Sequence, residues 1–160
     1  MNASVLYFSQ TGNTKTMAES IVQGMQEAKA EARAFSIEAL DEEWLRNSDC
    51  VIIGTPTYYA DVSGKMKLFL ESLSAYKVAG KLGGAFATAQ YIHGGGDIAI
   101  QTILRHMLVC GMAVYSGGGA QGKPVIHLGP VAVGQDIDAD RQLFRLYGQR
   151  MADKAKMLFA

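Results

Sequence analysis

Ser4-Val5-Leu6-Tyr7-Phe8-Ser9-Gln10-Thr11-Gly12-Asn13-Thr14 runs from a short apolar segment into a polar, glycine-containing turn, and an amphipathic segment follows at once. Residues 4–8 have the make-up of a buried strand. Over residues 14–28, Met17, Ile21, Met25 and Ala28 fall on one helical face. The unit reads as strand, turn, helix, with the turn at the carboxyl end of the strand. A helix start at that point offers free N–H groups and the positive end of a dipole.

The alternation continues outward. Residues 32–37 read as a weaker edge strand, and 41–47 as a short helix with Trp44 and Leu45 as its apolar pair. Residues 50–54 (CVIIG) are the clearest central strand. The 63–73 helix places Met66, Phe69, Leu70 and Leu73 at i, i+3, i+4, i+7. Residues 84–88 form a fourth strand, 97–110 a helix with Ala99, Ile103, Met107 and Cys110 near one face, and 112–115 a fifth strand. The last helix, 138–159, carries Phe144, Tyr147, Met151, Ala155 and Leu158 as a stripe. Strand–helix pairs of this kind imply a parallel sheet with helices on both faces. The expected fold is a three-layer α/β/α arrangement around a five-stranded parallel sheet. The order 2-1-3-4-5 is adopted here, although periodicity alone does not separate it from other doubly wound orders.

At 160 residues the chain is expected to form a single domain, 1–160. Hydrophobic residues make up 49% and charged residues 19%, a balance that supports a packed core. Fifteen basic residues offset fifteen acidic ones, which removes the charge footprint of a nucleic-acid binder. No apolar run reaches membrane-spanning length, and the N-terminus lacks signal-peptide character. Cys50 and Cys110 provide neither a disulfide framework nor a zinc spacing, so a cytoplasmic, reducing setting is expected and no metal site is assigned. Ten of the 18 glycines lie from Gly94 to Gly134. Residues 116–135 are too long for a routine connector and read as functional or mobile.

Ligands of open parallel sheets bind beyond the carboxyl ends of the strands, and three segments leave such ends. The first is Ser9, Gln10, Thr11, Gly12, Asn13 and Thr14. Its hydroxyls and amide are neutral donors suited to a phosphate; the alternative is ordinary helix capping by Thr11 or Asn13. No Gly-Lys-Ser/Thr or Gly-x-Gly-x-x-Gly signature is present. The second is a loop of Thr55, Pro56, Thr57, Tyr58, Tyr59, Ala60 and Asp61, whose tyrosines suit stacking on a flat ring or, alternatively, cover a sheet edge or subunit contact. The third carries Gln90, Tyr91, Ile92, His93, Gly94, Gly95, Gly96 and Asp97. Its glycines free backbone N–H groups for a heterocycle, Asp97 is placed to cap the next helix, and His93 is either a donor near the ring or an exposed loop histidine. A phosphate, a spacer and a flat polar heterocycle fit the three together, which is the form of FMN.

These residues resemble the flavodoxin-like FMN proteins. The 9–14 turn is similar to their Ser/Thr-x-Thr-Gly-x-Thr phosphate loop. Gly54-Thr55-Pro56-Thr57, Ser63-Gly64-Lys65-Met66, Phe69-Leu70, Gly94 to Asp97 and Gly111-Met112 look like the tryptophan-repressor-binding-protein branch of NAD(P)H:quinone oxidoreductases. The resemblance implies non-covalent FMN, with its phosphate on residues 9–14. It places the isoalloxazine between Pro56, Thr57, Tyr58 and Tyr59 on one side and Thr88, Ala89, Gln90, Tyr91, His93, Gly94, Gly95 and Gly96 on the other. It also implies a homodimer or homotetramer. Tyr58-Tyr59 and Cys110 replace residues common in that branch.

Three functions follow from these readings. The first is an NAD(P)H-dependent oxidoreductase passing electrons through FMN to a quinone or similar acceptor, with no side chain assigned a catalytic step. The second is a flavodoxin-type electron carrier that docks redox proteins. The third is a flavin-binding regulatory module without turnover. The neutral net charge and the presence of Ala60 where a turn beside the flavin favours Gly or Asn argue for two-electron chemistry.

Overall fold

The computed structural model describes residues 1–159. The chain runs β1 (Asn2–Tyr7), α1 (Asn13–Glu27), β2 (Glu31–Ser36), α2 (Glu42–Arg46), β3 (Cys50–Tyr58), β4 (Asp61–Val62), α3 (Gly64–Glu71), β5 (Leu82–Ala89), α4 (Gly96–Val109), β6 (Ala113–Val114), β7 (Val131–Val133) and α5 (Arg141–Phe159). Short 3₁₀ turns at Leu73–Tyr76 and Ile137–Asp140 follow α3 and precede α5.

The spine of the sheet is β2-β1-β3-β5-β6, parallel throughout, which is the expected 2-1-3-4-5 path. The sheet has seven strands rather than five, for two reasons. β3 runs four residues past Gly54, through Thr55 to Tyr58, and turns back as the two-residue β4. The segment expected to be a loop is thus the end of a strand and a tight hairpin. The fifth strand is divided: β6 pairs with Leu82 and Gly83 of β5, and β7 with Ala87 to Ala89 further along the same edge. Residues 115–130 leave the sheet between these two pieces. They do so from the backbone bond of Tyr115 N to Gly83 O and return at that of Ala87 N to Pro130 O. Gly129 passes so close that a Cβ there would lie 2.1 Å from Ala85 O.

Two apolar layers hold the sheet. On one face Met17, Ile21 and Met25 of α1 and Phe144, Tyr147 and Met151 of α5 pack on Val5, Ile52 and Phe86. On the other, Met66 and Leu70 of α3 and Ile100, Ile103 and Met107 of α4 pack on Leu6, Val51, Ile53 and Ala85. β5 is buried along its whole length and, apart from Leu82 and Phe86, built of small residues because the helices press on it. A Cβ at Gly83 would meet Met107 Sδ at 2.8 Å, and one at Gly84 would meet Tyr147 Oη at 2.4 Å. The α5 stripe ends before Leu158, which is exposed with its neighbours Met157 and Phe159. Among the described residues, no helix is long and apolar enough to cross a membrane.

Arg150 is buried and anchors the 115–130 excursion. Its Nη1 donates to Pro124 O at 2.8 Å and its Nη2 to Gln121 O at 3.1 Å. Ser116 Oγ adds a bond to His127 O at 2.7 Å. This excursion makes up most of the glycine-rich stretch of residues 116–135, and it has defined packing; residues 131–133 of that stretch are β7. Arg150→Met keeps the apolar stem and removes both bonds, with an expected cost of about 2 kcal/mol. A lower urea midpoint and faster cleavage within 115–130 by a nonspecific protease check it.

Cys50 and Tyr147 meet in the first apolar layer. Burial, helped by Asp49, pushes the Cys50 thiol from its ordinary 9.0 up to about 12. Burial and the proximity of Cys50 push the Tyr147 phenol up as well. Both groups hold their protons more tightly folded than unfolded. Their contribution is complete below the unfolded values and is lost as pH rises toward the folded ones. The urea midpoint is expected to stay level up to about pH 8 and to fall above about pH 9. A melt series across that range, with Cys50→Ala showing a shallower fall, checks it.

Candidate functional site

The turn after β1 folds around a glycine. Gly12, at φ +100°, is the residue that precedes the helix, and no side chain caps α1. Capping by Thr11 or Asn13 is therefore ruled out as the use of those side chains. Gly12 N donates to Ser9 Oγ at 3.1 Å, so Ser9 shapes the turn from within. The first turn of α1 contains no acidic residue, which leaves the dipole's positive end uncompensated.

Two hydrogen bonds tie this turn to the neighbouring strand ends. Thr14 Oγ1 and Thr88 Oγ1, both buried, lie 2.9 Å apart. Tyr58 Oη donates to Gln10 Oε1 at 2.9 Å. Between them opens a cleft lined by Gln10, Thr11, Asn13 and Thr14, by Pro56, Thr57 and Tyr58, and by Thr88, Ala89 and Gln90. The parallel register explains the convergence, since Pro56 pairs with Thr88 across β3 and β5. A neighbouring hollow shares Gln10 and Tyr58 and adds Ser9, Phe8 and Lys65.

Two lining residues, Gly134 and Ile137, were not singled out as site residues from the sequence. They reach the cleft because β7 resumes the fifth strand and delivers the 134–137 segment to its carboxyl end. The glycine at 134, with φ +92°, was the available signal.

Other expected site residues stand outside the cleft wall. Tyr59, Tyr91 and His93 are exposed. Tyr59 and Ala60 form the tip of the β3–β4 hairpin, at φ 49° and 61°. Gly95 and Gly96 lie in close contact with neighbouring segments, and Gly94 with its own turn at Tyr91. A Cβ at Gly95 would lie 2.5 Å from Ala60 Cα, and one at Gly96 would lie 2.7 Å from Val131 Cγ1. Gly95, at φ +96°, precedes α4, so Asp97 sits inside the first turn and does not cap it. Cys110 closes α4, half-buried.

The cleft's chemistry suits a phosphorylated, polar ligand. Its donors are neutral, and no lysine or arginine lines it. Thr57 Oγ1, in its wall, is buried and has no hydrogen-bond partner among the described residues. A buried hydroxyl without a partner costs about 1–3 kcal/mol, so a ligand atom there is favoured.

Comparison with known proteins agrees with this geometry. The flavodoxin profile matches residues 5–123. The chain is 43% identical over 160 residues to a flavodoxin from Clostridium saccharobutylicum, covering 99% of this chain and 100% of that one. The chain belongs to the flavodoxin family. FMN is its cofactor. It is also 27% identical over 157 residues to an NAD(P)H dehydrogenase (quinone) from Cupriavidus metallidurans, covering 83% of this chain and 76% of that one. A WrbA-like flavodoxin structure from Agrobacterium tumefaciens superposes with a TM-score of 0.81 at 27% identity, covering 98% of each chain. Both sides of the sequence resemblance, flavodoxins and quinone oxidoreductases, are present among the relatives.

Proposed function

We propose that this chain, acting as one domain over residues 1–160, carries electrons through FMN between redox proteins, one at a time. Ser9, Gln10, Thr11, Gly12, Asn13 and Thr14 hold the phosphate through backbone N–H groups and neutral side chains. Pro56, Thr57 and Tyr58 face Thr88, Ala89 and Gln90 across the ring system. Tyr59, Tyr91 and His93 form the solvent rim, over a floor fixed by Gly94, Gly95 and Gly96. Bound FMN supplies the electron storage.

The conformation of the hairpin carries this reading. A positive φ at Ala60 is costly to acquire in a turn beside the flavin, and here both Tyr59 and Ala60 already hold it. That cost is part of the folded state and no longer opposes one-electron chemistry. The neutral net charge also hides a local asymmetry. Asp136 and Asp138 are exposed on either side of Ile137, which lines the cleft, and although Asp138 pairs with Arg141 at 2.7 Å, Asp136 leaves negative charge there. An acidic edge beside the cofactor steers a basic redox partner.

The second reading, an NAD(P)H-dependent quinone reductase, is favoured by the quinone dehydrogenase relatives. Anaerobic dithionite titration and mixing with NADH or NADPH separate the two. The carrier accumulates a one-electron-reduced flavin during titration and stays oxidised on mixing. Prompt bleaching by either nucleotide, without that accumulation, overturns the carrier reading in favour of the reductase.

A further inference from the structure

The β3–β4 hairpin has a backbone that its residues do not favour. A two-residue turn with both φ values positive is ordinarily built from Asn-Gly or Gly-Gly. Tyr59 and Ala60 each add a Cβ to a left-handed conformation, and Tyr59 is fully exposed, so its side chain gains no packing in return. Something outside the hairpin must hold it, and α4 with the glycine that precedes it does so at two points. Gly95 lies against Ala60, in contact too close for any side chain. One helical stretch further on, buried Thr102 donates its hydroxyl to Asp61 Oδ1 at 2.6 Å. The same carboxylate oxygen accepts from Val62 N at 2.8 Å. Arg105 Nη2 in turn donates to Thr102 Oγ1 at 3.1 Å, which orients the hydroxyl proton toward Asp61.

Asp61 pairs with Tyr58 across the hairpin, and Tyr58 is the cleft wall that reaches Gln10. We infer that Thr102, which does not line the cleft, is a positioning residue: through Asp61 it braces the strained Tyr59–Ala60 turn and so fixes Tyr58 against the ring portion of the cofactor. This inference rests on the flavin reading of the cleft. It assigns Thr102 to the ring side; Tyr58 touches the phosphate turn through the Gln10 side chain, and the turn's own backbone N–H donors stay in place without it.

The test is flavin binding to the apoprotein, followed by flavin fluorescence, for wild type, Thr102→Val, Thr102→Ser and Asp61→Ala. Valine keeps the volume and removes the hydroxyl. FMN and riboflavin are both expected to bind Thr102→Val about tenfold more weakly than wild type, by the same factor. The concentration of inorganic phosphate that competes with FMN for the turn should report unchanged phosphate affinity. Serine restores wild-type binding. Asp61→Ala, read alone if the valine variant does not fold, shows the same pattern, and combining the two substitutions adds little. Wild-type flavin affinity in Thr102→Val, loss of phosphate affinity alongside flavin, or failure of serine to restore binding overturns the brace while leaving the flavin reading intact. A wild-type apoprotein that binds neither FMN nor riboflavin overturns both.

Discussion

Thr11→Asp is expected to weaken FMN binding by about a hundredfold or more while leaving the melting temperature of the apoprotein unchanged or slightly raised. Thr11 is exposed in the turn that precedes α1 and lines the cleft, so the substitution disturbs no packing. The turn's selectivity for an anion comes from uncompensated N–H groups and a dipole without an acidic residue in its first turn. A carboxylate at position 11 occupies those donors and repels a dianionic phosphate. At about 4 Å and an effective dielectric near 20, each pair of unit charges contributes roughly 4 kcal/mol, reduced by solvent at an exposed site. Riboflavin has no phosphate and should bind the variant nearly as it binds wild type. Fluorescence titrations with the two flavins check this. Equal weakening of both, or no weakening of FMN, would show that the phosphate lies elsewhere.

The strands and helices were legible wherever the apolar period was strong. α1, with Met17, Ile21 and Met25 buried, and the β3 start at Cys50 are cases where side-chain pattern and burial coincide. What pattern could not show were features decided by backbone pairing across the sheet. The extension of β3 through Pro56 depends on Thr55 and Pro56 pairing with Ala87 and Thr88, a long-range register with no local signature. The division of the fifth strand was hidden for the same reason. Val131 to Val133 is too short to announce itself, and it becomes a strand only because β5 offers an unpaired edge beyond Gly83. At the site, the 9–14 turn was readable because glycine and hydroxyls sit together in sequence. At Gly95 and Gly96 the sequence left two uses open, because a glycine that admits a ligand and one that admits a neighbouring chain look alike until Ala60 and Val131 are in place.

Gly24→Val and Gly148→Val are each expected to prevent folding, with a loss above about 4 kcal/mol. The two glycines stand where α1 and α5 cross. A Cβ on Gly24 would lie 1.9 Å from Arg145 O, and one on Gly148 would lie 2.2 Å from Ile21 O. Both obstacles are helical backbone, which cannot rotate aside as a side chain would. The helices would have to separate, and that opens the layer in which Met17, Ile21 and Met25 meet Phe144, Tyr147 and Met151. The ion pair of Arg145 with Glu27 and the bond from Gln149 Nε2 to Glu27 Oε2 at 2.8 Å span the same crossing and would be lost with it. Gly64→Ala is the matched control. Gly64 opens α3, has nothing within 4 Å of a would-be Cβ, and is free of positive φ. Alanine there should be neutral or stabilising by about 0.5 kcal/mol, because it restricts the unfolded chain. Circular dichroism and urea titration of the three variants decide the matter. A folded Gly148→Val protein with a wild-type urea midpoint would mean that the α1–α5 crossing is looser than these distances require.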